Sequence, residues 1–421
     1  MTSSGAVSPT KNQPTSKPYW ARRVEVRVVR WLSSFFQRLG WRERIEPYVG
    51  YGAAPGMASH TSPDPDTYRV LEPVSASDAE SEDVQRSTST DATTNSSLSA
   101  PTQAAAKAGW VRVLARVVVS PKRRVLLRRT SVPGRAEALR AVRGWRNFFT
   151  VQSPGVPVRL MLAGQRFLVH SDLNGYIDVV IPSVAEAGWH EVEMSTLHGG
   201  QATLGVRVLG PDTRAGLISD IDDTAIVTSL PRPLLAIWNS FILHEDARTA
   251  VPGMARLYRQ LGAQHNDFPV FYLSTGAWNV VPTMLRFFAH HGFPHGPMLM
   301  TDFGPTNTGF FRSGREHKER SLRRLANDFP DVQWILVGDD GQHDPVIYRD
   351  FVVDMPDHVR MVAIRQLTFS EAVLAHGMPT ATQANRQAEE NTDGPTVETA
   401  FVMGPDGDDL ARQMREHGLL S

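Results

Sequence analysis

Val111, Val113, Ala115 and Val117 alternate with Arg112 and Arg116, a period of two that predicts a half-buried strand over 110–119. Short runs rich in β-branched residues follow at 158–162, 165–170, 176–181, 190–194 and 202–208, punctuated by Ala163-Gly164, Asn174-Gly175 and Gly199-Gly200. This spacing predicts a small antiparallel β-sandwich domain over 108–211. From Gly216 the texture changes. Continuous apolar runs at 217–219, 270–273, 298–300, 334–337 and 361–364 alternate with helical periodicity near 254–261, 281–290 and 318–327, the pattern of a parallel α/β sheet buried on both faces. An α/β domain is therefore expected over 212–376.

Near the N-terminus, Val24, Val28, Trp31, Leu32, Phe35 and Leu39 recur at three- and four-residue intervals, flanked by Arg23, Arg27 and Arg30, so 20–50 reads as an amphipathic basic helix. Two readings stay open: the stripe docks on the protein's own core, or it enters a lipid headgroup layer with arginines near the phosphates. Residues 75–102 hold thirteen Ser or Thr in 28 positions and no aromatic residue, too little apolar surface to offset the entropy of ordering. We therefore expect 51–107 to be disordered, along with 1–19 and most of an acidic tail over 377–421, where 410–420 could form a short helix.

Length and charge sharpen this picture. A chain of 421 residues has room for two domains plus linkers, and its 44 Lys and Arg balance 44 Asp and Glu. The balance hides an asymmetry: eight basic against three acidic residues in 17–46, nine against one in 122–146, and three against eight in 385–421. The N-terminal half is thus expected to meet an anionic surface. The absence of cysteine excludes disulfide scaffolds, thiolate metal sites and cysteine nucleophiles. No run approaches the roughly 20 apolar residues of a membrane span, and the first residues lack an apolar signal core. The expected location is cytoplasmic, peripheral at a membrane where the basic half engages one.

The candidate chemistry lies at the strand ends, where open α/β sheets place their ligands. Asp220-Ile221-Asp222-Asp223-Thr224 follows the first α/β strand, Ser274-Thr275-Gly276 the second, Lys318 opens a helical stretch, and Gly338-Asp339-Asp340-Gly341 leads to Asp344. Carboxylates leaving a buried strand require a compensating cation or a catalytic reason. Taken singly these signals are modest; carboxylates, hydroxyl, lysine and carboxylates in one order point to a single phosphoryl-transfer site. Asp223 reads as a turn residue. His290, His291 and His295 stand around Gly292 and Pro294 at no usual metal spacing and read as helix-end or loop residues.

Over roughly 217–366 this constellation resembles the haloacid dehalogenase superfamily, and within it the Mg-dependent phosphatidate phosphatase catalytic domain of the fungal actin-patch type. The resemblance also takes in Val251-Pro252-Gly253-Met254, Tyr272-Leu273-Ser274 with Trp278, His317-Lys318 and Ile347-Tyr348, and departs at Gly276-Ala277 and at Asp340. It implies a Rossmannoid parallel sheet and a Mg²⁺ cofactor. On this reading Asp220 attacks phosphorus, and Asp222 protonates the leaving oxygen and then activates water. Ser274 and Lys318 hold phosphate oxygens, with Thr224, Thr275 and Gly276 as further substrate contacts. The metal is held by Asp220, the Asp222 backbone carbonyl and Asp339, with Asp344 or Asp340 orienting its waters or Lys318.

About 45 residues separate the first motif from the second strand, and about as many separate Ser274 from Lys318, too few for a large cap domain. An open site suits a phosphate on a large carrier. The expected function is hydrolysis of phosphatidate to diacylglycerol at a membrane surface. The alternatives are a phosphatase of phosphoproteins or other large phosphoesters, and a non-catalytic lipid- or protein-binding scaffold. No aromatic-basic groove is evident, so no nucleic-acid partner is expected.

Overall fold

A computed structural model describes residues 35–57 except 37, 69–70, 109–120, 151–227, 249–301 except 266, 310–368 except 342, and 399–421. Most of the N-terminal stripe and the basic stretch at 122–146 lie outside these residues. Of the segments expected to be disordered at 1–19, 51–107 and 377–421, the structure describes only 51–57, 69–70 and 399–421.

Nine strands form the first sheet: β1 (Arg42–Ala53), β2 (Arg69–Val70), β3 (Gly109–Ser120), β4 (Val151–Gln152), β5 (Pro157–Leu162), β6 (Gln165–His170), β7 (Tyr176–Ser183), β8 (Gly188–Thr196) and β9 (Gln201–Leu209). Their order is β2-β7-β3-β1-β9-β8-β5-β6, with β4 on β3. β1 runs parallel to β9 and β2 parallel to β7, whereas the other pairs are antiparallel. β6, at one end of the path, also contacts β7 near the other, so the sheet curls upon itself. Val111, Val113, Ala115 and Val117 fill the inside of the curl with Val158, Leu160, Phe167, Val192 and Val206.

The second sheet is all-parallel, in the order β14 (Met298–Thr301), β13 (Val270–Ala277), β10 (Ala215–Asp220), β15 (Gln333–Asp339), β16 (Val359–Arg365) and β17 (Ala400–Gly404). β11 (Ile226–Val227) and β12 (Thr249–Ala250) make a small ribbon beside it. The helices among the described residues are α1 (Met254–Ala263), α2 (Val281–His291), α3 (Phe310–Asp328), α4 (Asp344–Asp354) and α5 (Gly407–Glu416). None is long and apolar enough to cross a membrane.

The expected fold class, a Rossmannoid haloacid dehalogenase-like domain behind a small antiparallel sandwich, is corrected by this arrangement. The described chain is predominantly strand, with one curled mixed sheet and a separate all-parallel sheet, a β-rich fold. The physical reason lies in pairing: β1, placed by its composition partly in a helix and partly in a linker, inserts between β3 and β9. The period-two pattern locates strands but carries no information on their partners. Within the supposed tail, β17 extends the parallel sheet and α5 packs on α1.

Alternation on β3 led us to expect a solvent face carrying Arg112 and Arg116, yet both are buried. That face joins the second core, where Trp110 and Leu114 pack with residues of the parallel sheet. At this seam Arg112 makes two bonds to Asp178, at 2.6 and 2.5 Å, and donates to the Tyr51 hydroxyl at 2.7 Å. Tyr51 in turn donates to Asp328, the last residue of α3, at 3.2 Å.

Burial, opposed by Arg112 and Arg324, pushes the Asp328 carboxyl up to about 7. A carboxyl that keeps its proton to higher pH when folded contributes stability that is complete below the unfolded value, near pH 4, and is lost as pH rises through about 7. From about pH 5 to pH 8 the wild type should therefore lose about 1–3 kcal/mol relative to Asp328→Asn, measured by urea denaturation at each pH. Parallel profiles for the two proteins would show that Asp328 is ionised throughout.

Candidate active site

β10 and β15 are neighbours about which the sheet order reverses, and the crevice at their carboxyl ends collects the polar side chains. Asp220 ends β10 and Asp339 ends β15, both fully enclosed. Asp344, at the first turn of α4, and Lys318, on α3, reach the same point and are equally buried. The Lys318 ammonium lies 2.6 Å from Asp220 Oδ1 and 2.5 Å from Asp344 Oδ1. Carboxylate oxygens of Asp220, Asp339 and Asp344 fall within 4.8 Å of one another. Gly338 makes this approach feasible: a Cβ there would lie 2.6 Å from Asp344 Oδ2 and 2.8 Å from the Tyr348 ring.

Three carboxylates around one ammonium leave an excess of negative charge in a medium that solvates it poorly. Burial, reinforced by the neighbouring carboxylates, holds Asp220 and Asp339 well above the usual carboxylate range against the pull of Lys318. Burial alone would lower Lys318, but Asp220, Asp344 and Asp339 outweigh it and hold the ammonium above its ordinary value. His317, next along α3, is pushed down to about 4 by burial and meets the Leu299 carbonyl on β14 at 3.3 Å, so at neutral pH it is an uncharged pin between helix and sheet.

Asp222 stands one residue beyond Ile221, with its Oδ2 accepting from Ser274 Oγ at 3.1 Å. The Gly276 amide donates to the same Ser274 oxygen at 2.9 Å, which leaves the hydroxyl proton directed at Asp222. Asp223 takes a left-handed backbone, φ 57°, and its amide donates to Ile226, consistent with a turn residue. Thr224 is buried, and its hydroxyl has no hydrogen-bond partner among the described residues. The Thr275 and Gly276 carbonyls accept from Thr301 Oγ1, at 2.7 and 3.1 Å, so this loop is held from β14.

The two carboxylates that competed for one supporting role separate clearly in space. Asp344 contacts Lys318 directly, while Asp340 accepts from the Leu367 amide at 2.8 Å, just past the end of β16. Asp344, not the Asp222 side chain, completes the carboxylate cluster. His290 and His291 meet edge to face at the end of α2, and His295 lies against Trp189; no metal-holding group includes them among the described residues. Sequence reasoning missed Arg365, which ends β16 and donates to the Asp223 carbonyl at 2.8 Å and the Pro405 carbonyl at 3.2 Å. An arginine closing the otherwise apolar run 361–364 was the available signal.

Residues 215–366 match the family model described as phosphatidate phosphatase APP1, catalytic domain. Phosphatidate phosphatase APP1 of Saccharomyces cerevisiae is 28% identical over 153 residues, 36% of this chain and 25% of that protein. An uncharacterized Schizosaccharomyces pombe protein is 22% identical over 152 residues, again 36% of this chain and 25% of its own length. The match thus spans a quarter of each of these relatives, and over it the chain resembles the phosphatidate phosphatase catalytic domain. Among solved structures, a carbohydrate acetylesterase from Xanthomonas citri gives a TM-score of 0.25 at 13% identity, covering 64% of this chain and 68% of that one. A likeness at that level carries no argument about fold or chemistry.

Removing the one ammonium from this cluster would leave enclosed carboxylates uncompensated. Lys318→Met should cost about 3–5 kcal/mol of stability in chelator-containing buffer, and adding Asp344→Asn to it should recover much of that loss. Chemical denaturation of the four proteins of the cycle gives the coupling, and a Lys318→Met variant as stable as wild type would refute the buried ion cluster.

Proposed function

We propose that this protein is a phosphomonoester hydrolase that works through the Asp220 carboxylate, with Mg²⁺ as cofactor and phosphatidate as substrate, acting at an anionic membrane surface. The observation that carries the reading is the convergence of Asp220, Asp339, Asp344 and Lys318 at one sheet end, inside the span that matches the phosphatidate phosphatase catalytic domain. The name of that family supports the lipid substrate, and the basic residues of 17–46 and 122–146 support the anionic surface.

The residues fit a hard divalent cation. Every candidate donor is an oxygen, the cluster carries excess negative charge, and Oδ2 of Asp220, Asp339 and Asp344 has no hydrogen-bond partner among the described residues. Asp220 and Asp339 would hold the ion together with the Asp222 main-chain carbonyl, while Asp344 would divide its charge between the ion and Lys318. When bound, Mg²⁺ would neutralise charge on the transferring phosphoryl group.

The chain's own groups perform the bond changes. Asp220 Oδ attacks phosphorus and the ester P–O bond breaks, giving an aspartyl-phosphate and an alkoxide that takes a proton from Asp222. Burial disfavours an ionised Asp220, and the ammonium 2.6 Å away acts against it, favouring the charged form that attack requires. The Ser274 hydroxyl fixes the Asp222 carboxyl in place. Asp222, now ionised, accepts a proton from water as that water attacks phosphorus, releasing phosphate and restoring both carboxyls. Lys318 serves as a donor to phosphate oxygens in both steps, and the Ser274 hydroxyl joins it on turning its single proton from Asp222 to the phosphate.

Phosphate release from phosphatidate vesicles, phosphopeptides and small phosphoesters, with and without Mg²⁺, tests the reading. Release should be greatest from phosphatidate and vanish with chelator; preference for phosphopeptides would replace the substrate and leave the chemistry. Asp220→Asn should abolish turnover, on the order of 10³-fold or more, with the fold intact. Asp222→Asn should impair alkyl esters by about 10²-fold or more and activated aryl phosphates far less. Substantial turnover by folded Asp220→Asn removes the nucleophile assignment.

A further inference from the structure

Arg116 lies on β3, on the same face as Trp110 and Leu114, turned toward the parallel sheet. It is 9% exposed, its Nε has no hydrogen-bond partner, and no ion pair engages it among the described residues. Its one ring contact is with Tyr176, whose centroid lies 5.0 Å from the guanidinium carbon. The carboxylates around it are bonded to other groups, and Asp172 attracts it across space without forming an ion pair. Glu46, opposite Arg116 in the β1–β3 ladder, pairs with Arg44. Asp178 is held by both arms of Arg112. Asp172 Oδ1 accepts the amides of Asn174 and Tyr176 at 2.8 and 2.7 Å.

A guanidinium does not shed its proton in a protein, so burial cannot neutralise it as it would a lysine. A ring face offsets only part of the lost hydration. A buried cation left in this condition calls for an anion, and the planar fork of donors suits the oxygens of phosphate. Its surroundings say where that anion comes from. Tyr176 also meets Trp278, at 6.5 Å, and Trp278 stacks on Tyr48 at 4.6 Å. Trp278 follows directly on Ser274-Thr275-Gly276-Ala277, the end of β13. Arg116 is therefore one aromatic ring removed from the segment that reaches Asp222.

We infer that Arg116 is a phosphate-recognition residue at the seam between the two sheets, with Tyr176, Trp278 and Tyr48 forming an apolar wall beside it. The phosphate arrives either as part of the phosphorylated ligand of the neighbouring catalytic crevice or as free inorganic phosphate. The binding test stands without catalysis; only the assignment of the source rests on the proposed phosphatase reading.

The first measurement is thermal unfolding of the full chain in chelator and chloride buffer, titrated with inorganic phosphate, conditions in which the bare carboxylate cluster repels the anion. Wild type should gain Tm with phosphate. Arg116→Met should start at an equal or higher Tm, since a buried charge is gone, and lose the phosphate response. Arg116→Lys should keep a response with affinity about tenfold weaker, because the fork is lost and the charge retained. No shift in wild type, or the same shift in Arg116→Met, overturns the inference. Should Arg116→Met not fold, unaltered affinity in Arg116→Lys does so.

The second measurement assigns the source with Mg²⁺ present. For substrate phosphate, Arg116→Met or Arg116→Lys raises KM about tenfold for phosphatidate vesicles and for p-nitrophenyl phosphate alike, since both carry the group that Arg116 would hold. For free phosphate, KM stays constant and inhibition by inorganic phosphate weakens about tenfold. Neither change overturns the inference. A wild type without phosphatase activity defeats the catalytic reading alone, and the thermal measurement still decides the role of Arg116.

Discussion

The Lys318 ammonium, wedged between Asp220 and Asp344, is the contact on which the other parts of the crevice depend. A buried ion pair is worth little when its partners could be exchanged for apolar groups, but removing one partner is costly. The arrangement therefore holds only if β10, α3 and α4 are all in register. Several features serve that register. His317 pins α3 to β14, Tyr348 on α4 donates to the Val337 carbonyl at 3.1 Å, and Gly338 leaves space for Asp344. The carboxylates and the ammonium are thereby held in one fixed arrangement.

The two sheets are equally interdependent. Tyr51 of β1 lies edge-on to Phe271 of β13 while bonding to Asp328, and Trp110 of β3 stacks on Phe329 at 5.8 Å. These contacts form one apolar core that crosses the seam. The curled sheet thus packs directly on the parallel one, and its Tyr48 and Tyr176 lie against Trp278, just past the end of β13.

Much of this was legible in the sequence for definite reasons. The strands from 157 to 209 and the five apolar runs of the α/β region appear within a few residues of their expected bounds, because turn glycines and buried β-branched runs are local signals. β1 escaped because 42–50 reads as part of the amphipathic helix and 51–53 as part of the disordered segment, while Pro47, Gly50 and Gly52 are poor strand formers. In the structure those glycines accommodate the close carbonyls of Arg112 and Trp110, where a Cβ would clash. The choice between Asp340 and Asp344 was beyond a linear reading, since it turns on a Leu367 amide and a lysine 26 residues upstream of Asp344. The burial of Arg116 was hidden likewise, for alternation marks two faces and is silent about what covers them.

The C-terminal strand and helix lie beyond the span shared with the phosphatase relatives, yet they are bonded into it. β17 pairs along β16, the Gly407 amide donates to Pro252 at 2.9 Å, and Arg365 bridges Pro405 to the carbonyl of Asp223. A fragment cut where the similarity stops would retain each side chain of the buried carboxylate–lysine cluster. It would also bare the length of β16 as an open edge with unpaired amides and carbonyls, a template for sheet-to-sheet association between molecules. The segment that homology marks out and the segment that closes the sheet are thus different stretches of the same chain.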